Sequence, residues 1–237
     1  MKKLLVSGLI LLALADPVNS EIKKYKENYV ADKYRLENVK AQFSMTAPLF
    51  NIYNTSLNFA YTHKIYWNPR EKSGPVKENI YSPDFYFSWK NKNILKNVQI
   101  GCDHESNGKE EDDSRGWNSY YLRLNLEGKI SSFNVGSNTK IFKGFDMSKK
   151  NEDIHKYQGY INQGFYAKTD FNSIIESLTC GVNFSVSKNN WKEYYAKIKL
   201  IDDIFIPELF FQYWDGSCET LLNYNKKEKI FRMGVAF

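Results

Sequence analysis

The stretch Cys102-Asp103-His104-Glu105-Ser106-Asn107-Gly108 sets a general base and a nucleophile two residues apart, and Trp117-Asn118 follows after an acidic run. Two residues is one full period of a β-strand, so side chains at that spacing emerge on the same face. Val98, Ile100, Cys102, His104 and Ser106 share one face, opposite Gln99, Gly101, Asp103 and Glu105. In the following segment Asn118, Tyr120, Leu122, Leu124 and Leu126 alternate with Trp117, Ser119, Tyr121, Arg123 and Asn125. His104, Ser106 and Asn118 thus stand at the polar ends of two apolar faces. Strands lie ~4.8 Å apart and residues i and i+2 are ~7 Å apart. Side-chain contacts running Ser106 to His104 to Asn118 are therefore expected. The chemistry would be nucleophilic: Ser106 attacking, His104 taking its proton, and Asn118 fixing the imidazole. Asn is neutral, so it orients the ring but stabilises an imidazolium less than Asp would. His-x-Ser recurs in strands by chance. A polar cluster on a face turned toward hydrocarbon is costly, however, and tends to be functional.

Between these segments runs Gly108-Lys109-Glu110-Glu111-Asp112-Asp113-Ser114-Arg115. Such a loop is usually just solvated. Its carboxylate, hydroxyl and carbonyl oxygens are also what calcium takes. There is no EF-hand spacing, so the composition alone leaves both readings open.

The elements that must position these residues alternate in the same way. From about residue 39 onward, two-faced segments of roughly nine to twelve residues are separated by turn-rich stretches. In 56–67, Leu57, Phe59, Tyr61, Ile65 and Trp67 oppose Ser56, Asn58, Ala60, Thr62 and Lys64. In 194–200, Ala196, Ile198 and Leu200 oppose Tyr195, Lys197 and Lys199. Lysines on a second face would be ruinous in a packed core but are comfortable in a hydrated lumen. The chain closes Ile230-Phe231-Arg232-Met233-Gly234-Val235-Ala236-Phe237, alternating to a terminal aromatic.

Residues 1–20 carry two lysines, an apolar run and small residues before a cut after Ala15 or Ser20, as in a secretory signal peptide. The remaining 21–237 are read as one domain. Nothing in it approaches the ~18 apolar residues of a membrane helix. The expected fold is all-β: a twelve-stranded antiparallel transmembrane β-barrel in the bacterial outer membrane, with both termini periplasmic and a short first strand over 29–35. Long outer loops are expected at 68–79, 107–116, 141–157 and 215–228. Short periplasmic turns are expected at Asn91 to Asn93, Glu127-Gly128, Thr169 to Asn172 and Asp202-Asp203. Arg123, Lys197, Lys199, Glu208 and Arg232 fall on the inward parity, which suggests a charge network inside.

The net charge of +6 comes from scattered lysines with no basic run interleaved with aromatics, so no nucleic-acid partner is expected. Three cysteines, Cys102, Cys180 and Cys218, leave at least one without an intramolecular partner, and no spacing suggests zinc.

The pattern His104, Ser106, Asn107, Gly108, a loop, then Ser114, Arg115, Trp117 and Asn118 resembles the outer-membrane phospholipase A family. Tyr61-Thr62-His63-Lys64 with Trp67, and Tyr81-Ser82-Pro83, are also similar to it. The likeness runs from about Val39 to the end. It implies a calcium-dependent enzyme that hydrolyses phospholipid acyl esters and acts as a homodimer. On that resemblance Ser106, His104 and Asn118 are the triad, and the Ser106 and Gly108 N–H groups form the oxyanion hole. Lys109, Glu111 and Ser114 would hold Ca2+, with Ser73 supplied by the partner subunit. Glu111 stands where the family has Asp, and His63 replaces a glutamine that the family buries at the dimer contact. A passive porin-like barrel and a lipopolysaccharide deacylase are the alternatives.

Overall fold

The structure, a computed structural model, describes residues 21–33, 35–91, 93–201 and 207–237. The segment read as a signal peptide and the Asp202-Asp203 turn lie outside the described residues, as does Lys92 within the 91–93 turn. The strands are β1 (Lys23–Lys24), β2 (Tyr29–Asp32), β3 (Val39–Ile52), β4 (Thr55–Trp67), β5 (Val76–Lys90), β6 (Leu95–Ser106) and β7 (Gly116–Ile130). They continue as β8 (Phe133–Phe145), β9 (Ile161–Asp170), β10 (Ile175–Ser185), β11 (Trp191–Leu200), β12 (Glu208–Gly216) and β13 (Glu228–Ala236). Each of β2 to β13 pairs antiparallel with its sequence neighbours, and β13 pairs with β2. Twelve staves therefore close a barrel, as the alternation predicts.

Some boundaries move by a few residues, since β5 begins at Val76, β8 runs to Phe145 and β9 begins at Ile161 against connections expected at 68–79 and 141–157; two expectations fail outright. The first stave is broken: β2 stops at Asp32, with Arg35 in a turn at φ 57°, while β1 pairs with Met45 and Thr46 farther along β3. The intervening Tyr25 turns inward, where its hydroxyl donates to Asp84 Oδ2 at 2.7 Å and meets the Arg123 guanidinium. Interior hydrogen bonding thus outweighs regular pairing there. The Glu127-Gly128 turn is also overturned, because both residues are paired within the β7–β8 hairpin, to Gly136 and Val135. The chain reverses at Ser131-Ser132, where Ser131 has φ 54°, as two-residue hairpins require. Glycine had suggested a turn, but here it sits in an exposed hairpin projecting past the rim, with nothing near its missing side chain.

Inside and outside are chemically inverted relative to a water-soluble protein. Along β5, Glu78, Ser82, Asp84 and Ser88 are buried, while Phe85, Phe87 and Trp89 are about half exposed. Polar residues fill the lumen and aromatics face outward, as a lipid-facing barrel demands. Tyr121 donates to Asp84 Oδ1 at 2.8 Å, and Arg123 donates to Gln99 at 3.1 Å. Lys197 bridges Glu27 (2.7 Å) and Glu208 (2.9 Å), and Lys199 pairs with Glu176 at 2.9 Å. Of the expected inward charges, Lys197, Lys199 and Glu208 thus sit in ion pairs and Arg123 in hydrogen bonds. Near the rim with the long connections, here called the outer rim, residues 217–227 fold inward. They bury Leu221 and Tyr224 and set Glu219 Oε1 between Lys40 Nζ (3.1 Å) and Arg232 Nη1 (2.7 Å). The three cysteines are free.

Candidate active site

β6 and β7 place His104 and Asn118 directly opposite one another in register, and Ser106 opposite Gly116. Because the period is two, all three side chains leave the sheet on the outward face. His104 Nδ1 lies 2.9 Å from Asn118 Oδ1. An amide oxygen can only accept, so Nδ1 carries the proton and Nε2 keeps its lone pair, the form a general base needs. The structure thus brings His104 and Asn118 together. It does not join Ser106: among the described residues its hydroxyl makes no hydrogen bond. A serine oxygen reaches only one atom beyond Cβ, too short to span a two-residue step unless the ring tilts toward it. Such bonds often tighten only when substrate is present. A side chain at position 116 would sit 3.4 Å from Ser106 Cβ and 3.9 Å from His104 Cε1, so Gly116 keeps space open beside both.

The segment after the nucleophile is built around Asn107, which is 3% exposed. Its Nδ2 donates to Glu78 Oε1 (3.2 Å) and to the Asp113 carbonyl (2.8 Å). Its Oδ1 accepts from Lys109 N–H (3.3 Å) and Arg115 N–H (2.9 Å). One amide therefore closes the 107–115 loop on itself and ties it to β5. Glu78 Oε1 also accepts from Leu222 N–H at 2.8 Å, so the inward-folded 217–227 connection shares the anchor. Gly108 has φ +62°, and a Cβ there would lie 2.8 Å from Tyr81 Cε2. Only glycine satisfies both conditions. Its N–H makes no hydrogen bond among the described residues and is free to meet an oxyanion.

The loop holds one 3-10 turn, Glu111–Asp113, with Glu111 exposed at φ 48°. Arg115 donates to the Asp112 and Ser114 carbonyls at 2.7 and 2.9 Å, and Lys150 pairs with Asp112, holding that carboxyl below its usual range. The Lys109 carbonyl and Ser114 hydroxyl are in no hydrogen bond among the described residues, leaving hard oxygen donors of the kind calcium takes. No group of three or more carboxylate, His or Cys side chains converges for a metal among the described residues. Ser73 is exposed at φ 68° in the 68–75 connection of the same rim, next to Gly74, whose carbonyl accepts from Trp67 Nε1 at 2.7 Å. His63 faces outward, lies 3.0 Å from Asn79 Oδ1 through Nε2, and stacks on Tyr81 at 4.9 Å. Tyr81 is the ring against which Gly108 rests, so His63 belongs to the same wall.

A further support comes from the 146–160 connection. Asn151 is fully buried; its Oδ1 accepts from Gly116 N–H (3.1 Å) and its Nδ2 donates to the Gly116 carbonyl (3.3 Å). It lies in the 146–160 connection, which ends in the short helix α1 (His155–Gln158). Nothing in the local sequence marks Asn151, because its partner is 35 residues away. Asn107-Gly108 did carry a signal, since that dipeptide is a strong turn former.

Residues 7–237 match the family model described as Phospholipase A1. The chain belongs to the phospholipase A1 family. Phospholipase A1 of Escherichia coli K12 is 28% identical over 223 residues, covering 86% of this chain and 71% of that protein. Phospholipase A1 of Proteus vulgaris is 26% identical over 227 residues, covering 90% and 74%. Among solved structures, outer membrane phospholipase A from Escherichia coli superposes with a TM-score of 0.74 at 23% identity, covering 91% of this chain and 98% of that one. A Salmonella typhi outer membrane phospholipase dimer with bound calcium gives 0.74 at 22%, covering 92% of each. As a member of the phospholipase A1 family, with this barrel, the protein is an outer-membrane phospholipase.

Proposed function

We propose that this phospholipase cleaves acyl esters with a Ser106-His104-Asn118 triad, depends on calcium, and is active as a homodimer. The observation that carries the reading is the 2.9 Å His104–Asn118 pair on the outward face of adjacent strands, one β period from Ser106. A site opening on the lipid-facing side takes its substrate from the bilayer without passing it through the lumen.

His104 Nε2 removes the Ser106 Oγ proton as Oγ forms a bond to the ester carbonyl carbon. Charge that develops on the carbonyl oxygen meets the Ser106 and Gly108 N–H groups. The imidazolium, oriented through Nδ1 by Asn118, then protonates the departing lysophospholipid oxygen. Water, deprotonated by the same nitrogen, releases the fatty acid and restores Ser106. Calcium would be held by the Lys109 carbonyl, the Ser114 hydroxyl and the Glu111 side chain, with Ser73 of the partner subunit. When bound, it adds positive charge at the oxyanion position. The Salmonella typhi neighbour, a dimer with bound calcium, supports this part of the reading. His63 and its Tyr81 stack would lie at the contact between subunits.

The test is fatty-acid release from mixed phospholipids with calcium or a chelator. Ser106→Ala should abolish calcium-dependent release while leaving the barrel folded. Undiminished release in that variant would overturn the triad, and release of acyl chains from lipopolysaccharide in place of phospholipid would overturn the substrate.

A further inference from the structure

We propose that Asp146 is a fourth, positioning member of the site, selecting the amide orientation of Asn118 and thereby the tautomer of His104. The inference rests on the triad reading above and deepens it. A neutral Asn beside a catalytic histidine has a specific weakness. Its oxygen and nitrogen are nearly the same size, so the amide can present either group to the ring. With Oδ1 toward Nδ1, Nδ1 carries the proton and Nε2 is a base. With Nδ2 toward Nδ1, Nδ1 must accept, the proton moves to Nε2, and the imidazole faces Ser106 with a donor. The second arrangement cannot remove the Ser106 proton.

Asp146 breaks that degeneracy. It follows β8 immediately, one residue beyond Phe145, which stands opposite Asn118 in register. Asn118 Nδ2 donates to Asp146 Oδ2 at 3.2 Å and is 3.4 Å from the Asp146 carbonyl. Both atoms are acceptors only, so each rejects a flipped amide. Asp146 has φ +46°, a left-handed conformation that Asp and Asn adopt more readily than most side chains, and this turns the backbone carbonyl and the carboxylate toward the same amide. The succeeding loop is held in place: Ser148 N–H donates to the Gly116 carbonyl at 2.8 Å, and Asn151 closes on Gly116 from the other side. The resulting hydrogen-bonded chain runs from His104 through Asn118 to Asp146, with Ser106 one β period from the ring. It ends in a full negative charge one amide removed from the imidazole, partly supplying what a neutral Asn lacks when the imidazolium forms.

Three variants of the full-length barrel test this in detergent micelles with phospholipid substrate and calcium. Asp146→Asn keeps the left-handed backbone and the side-chain size but offers an ambiguous partner. It should lower kcat about tenfold, the loss of one charge-assisted hydrogen bond, with KM unchanged. The 15N resonances of His104 should move from a single Nδ1-protonated form toward a mixture of tautomers, a readout that loss of packing would not give. In the Asn118→Asp background the sign should reverse. Two carboxylates then face each other, and adding Asp146→Asn should raise kcat by relieving the repulsion. Wild-type kcat with unaltered His104 resonances in Asp146→Asn, or a further loss in the double variant, would overturn the assignment. If Ser106→Ala is inactive and these outcomes fail, only Asp146 falls. If Ser106→Ala is active, the triad itself falls.

Discussion

Asn107 is the sharpest place to perturb the site without touching a reacting atom. Asn107→Ala deletes two donated and two accepted hydrogen bonds, at 2.8 to 3.3 Å, and strands the partners of a residue that is 3% exposed. Each such bond contributes about 1 kcal/mol net. Water reaching the outer rim would re-solvate Lys109 N–H and Arg115 N–H more readily than the buried Glu78 carboxylate. The ordered 107–115 loop should therefore lose about 2–4 kcal/mol relative to open forms. The barrel keeps its strand pairing, so this is a local and not a global loss. At 1.4 kcal/mol per factor of ten, kcat/KM should fall roughly 30- to 1000-fold at limiting calcium. Because bound metal stabilises the ordered loop, saturating calcium should recover part of the deficit, shifting the calcium midpoint upward. The assay is initial-rate fatty-acid release across a calcium titration, with the thermal midpoint of the barrel as control. A wild-type calcium curve would refute the claim that one amide organises the loop. So would a rate loss matched by an equal loss of barrel stability.

Two further variants probe neighbouring parts. Gly108→Ala forces a Cβ to within 2.8 Å of Tyr81 Cε2 at φ +62°, so it should cut kcat at least tenfold by moving the oxyanion N–H, and steady-state kinetics would show whether KM stays level. Glu219→Gln leaves Lys40 and Arg232, both buried, without their counter-charge, and should destabilise the barrel by about 3 kcal/mol, read as a fall of several degrees in Tm. Lipolytic activity per folded molecule should fall less than in Asn107→Ala, because Glu219 reaches the site only indirectly, through the 217–227 connection and Glu78.

Much of this architecture was legible because the barrel faces two different solvents. A period-two alternation is then written into nearly every strand, and it correctly put His104, Ser106 and Asn118 on one side and Trp117, Tyr121 and Arg123 on the other. The errors lie where a distant group decides the local path. The first stave cannot be read from its own residues, because Tyr25 is drawn inward by Asp84 and Arg123, 59 and 98 positions away. Glu127-Gly128 has the composition of a turn, yet pairing continues through it to Ile130. At the outer rim, β9 starts at Ile161 rather than near 158, since α1 and Gly159 at φ 69° occupy the approach. The supporting residues were hidden for the same reason. Asn107 has a visible turn signature, but its tie to Glu78 spans 29 residues, and neither Asn151 nor Asp146 is distinguishable from any other polar loop residue by type.

The interior also bears on whether the polar rim cluster could be incidental to a passive pore. A pore needs lumen side chains that face water and leave a continuous path. Here many of the inward groups are hydrogen-bonded to each other. Asp84 accepts from both Tyr25 and Tyr121, and Arg123 reaches Tyr25 and Gln99. Near the outer rim Arg232, with no exposed surface, donates to Glu219, Gln212 and Asn38, while Tyr66 donates to the Glu219 carbonyl at 2.5 Å. Glu219 arrives from the 217–227 connection, so an outer loop is fastened across the lumen by buried charge. The same connection hydrogen-bonds Glu78, and Glu78 hydrogen-bonds Asn107 beside the nucleophile. A cross-braced interior of this kind opposes conduction but stiffens the wall on which a lipid-facing site must hold its geometry. The polar residues of the lumen thus brace the wall that carries the site.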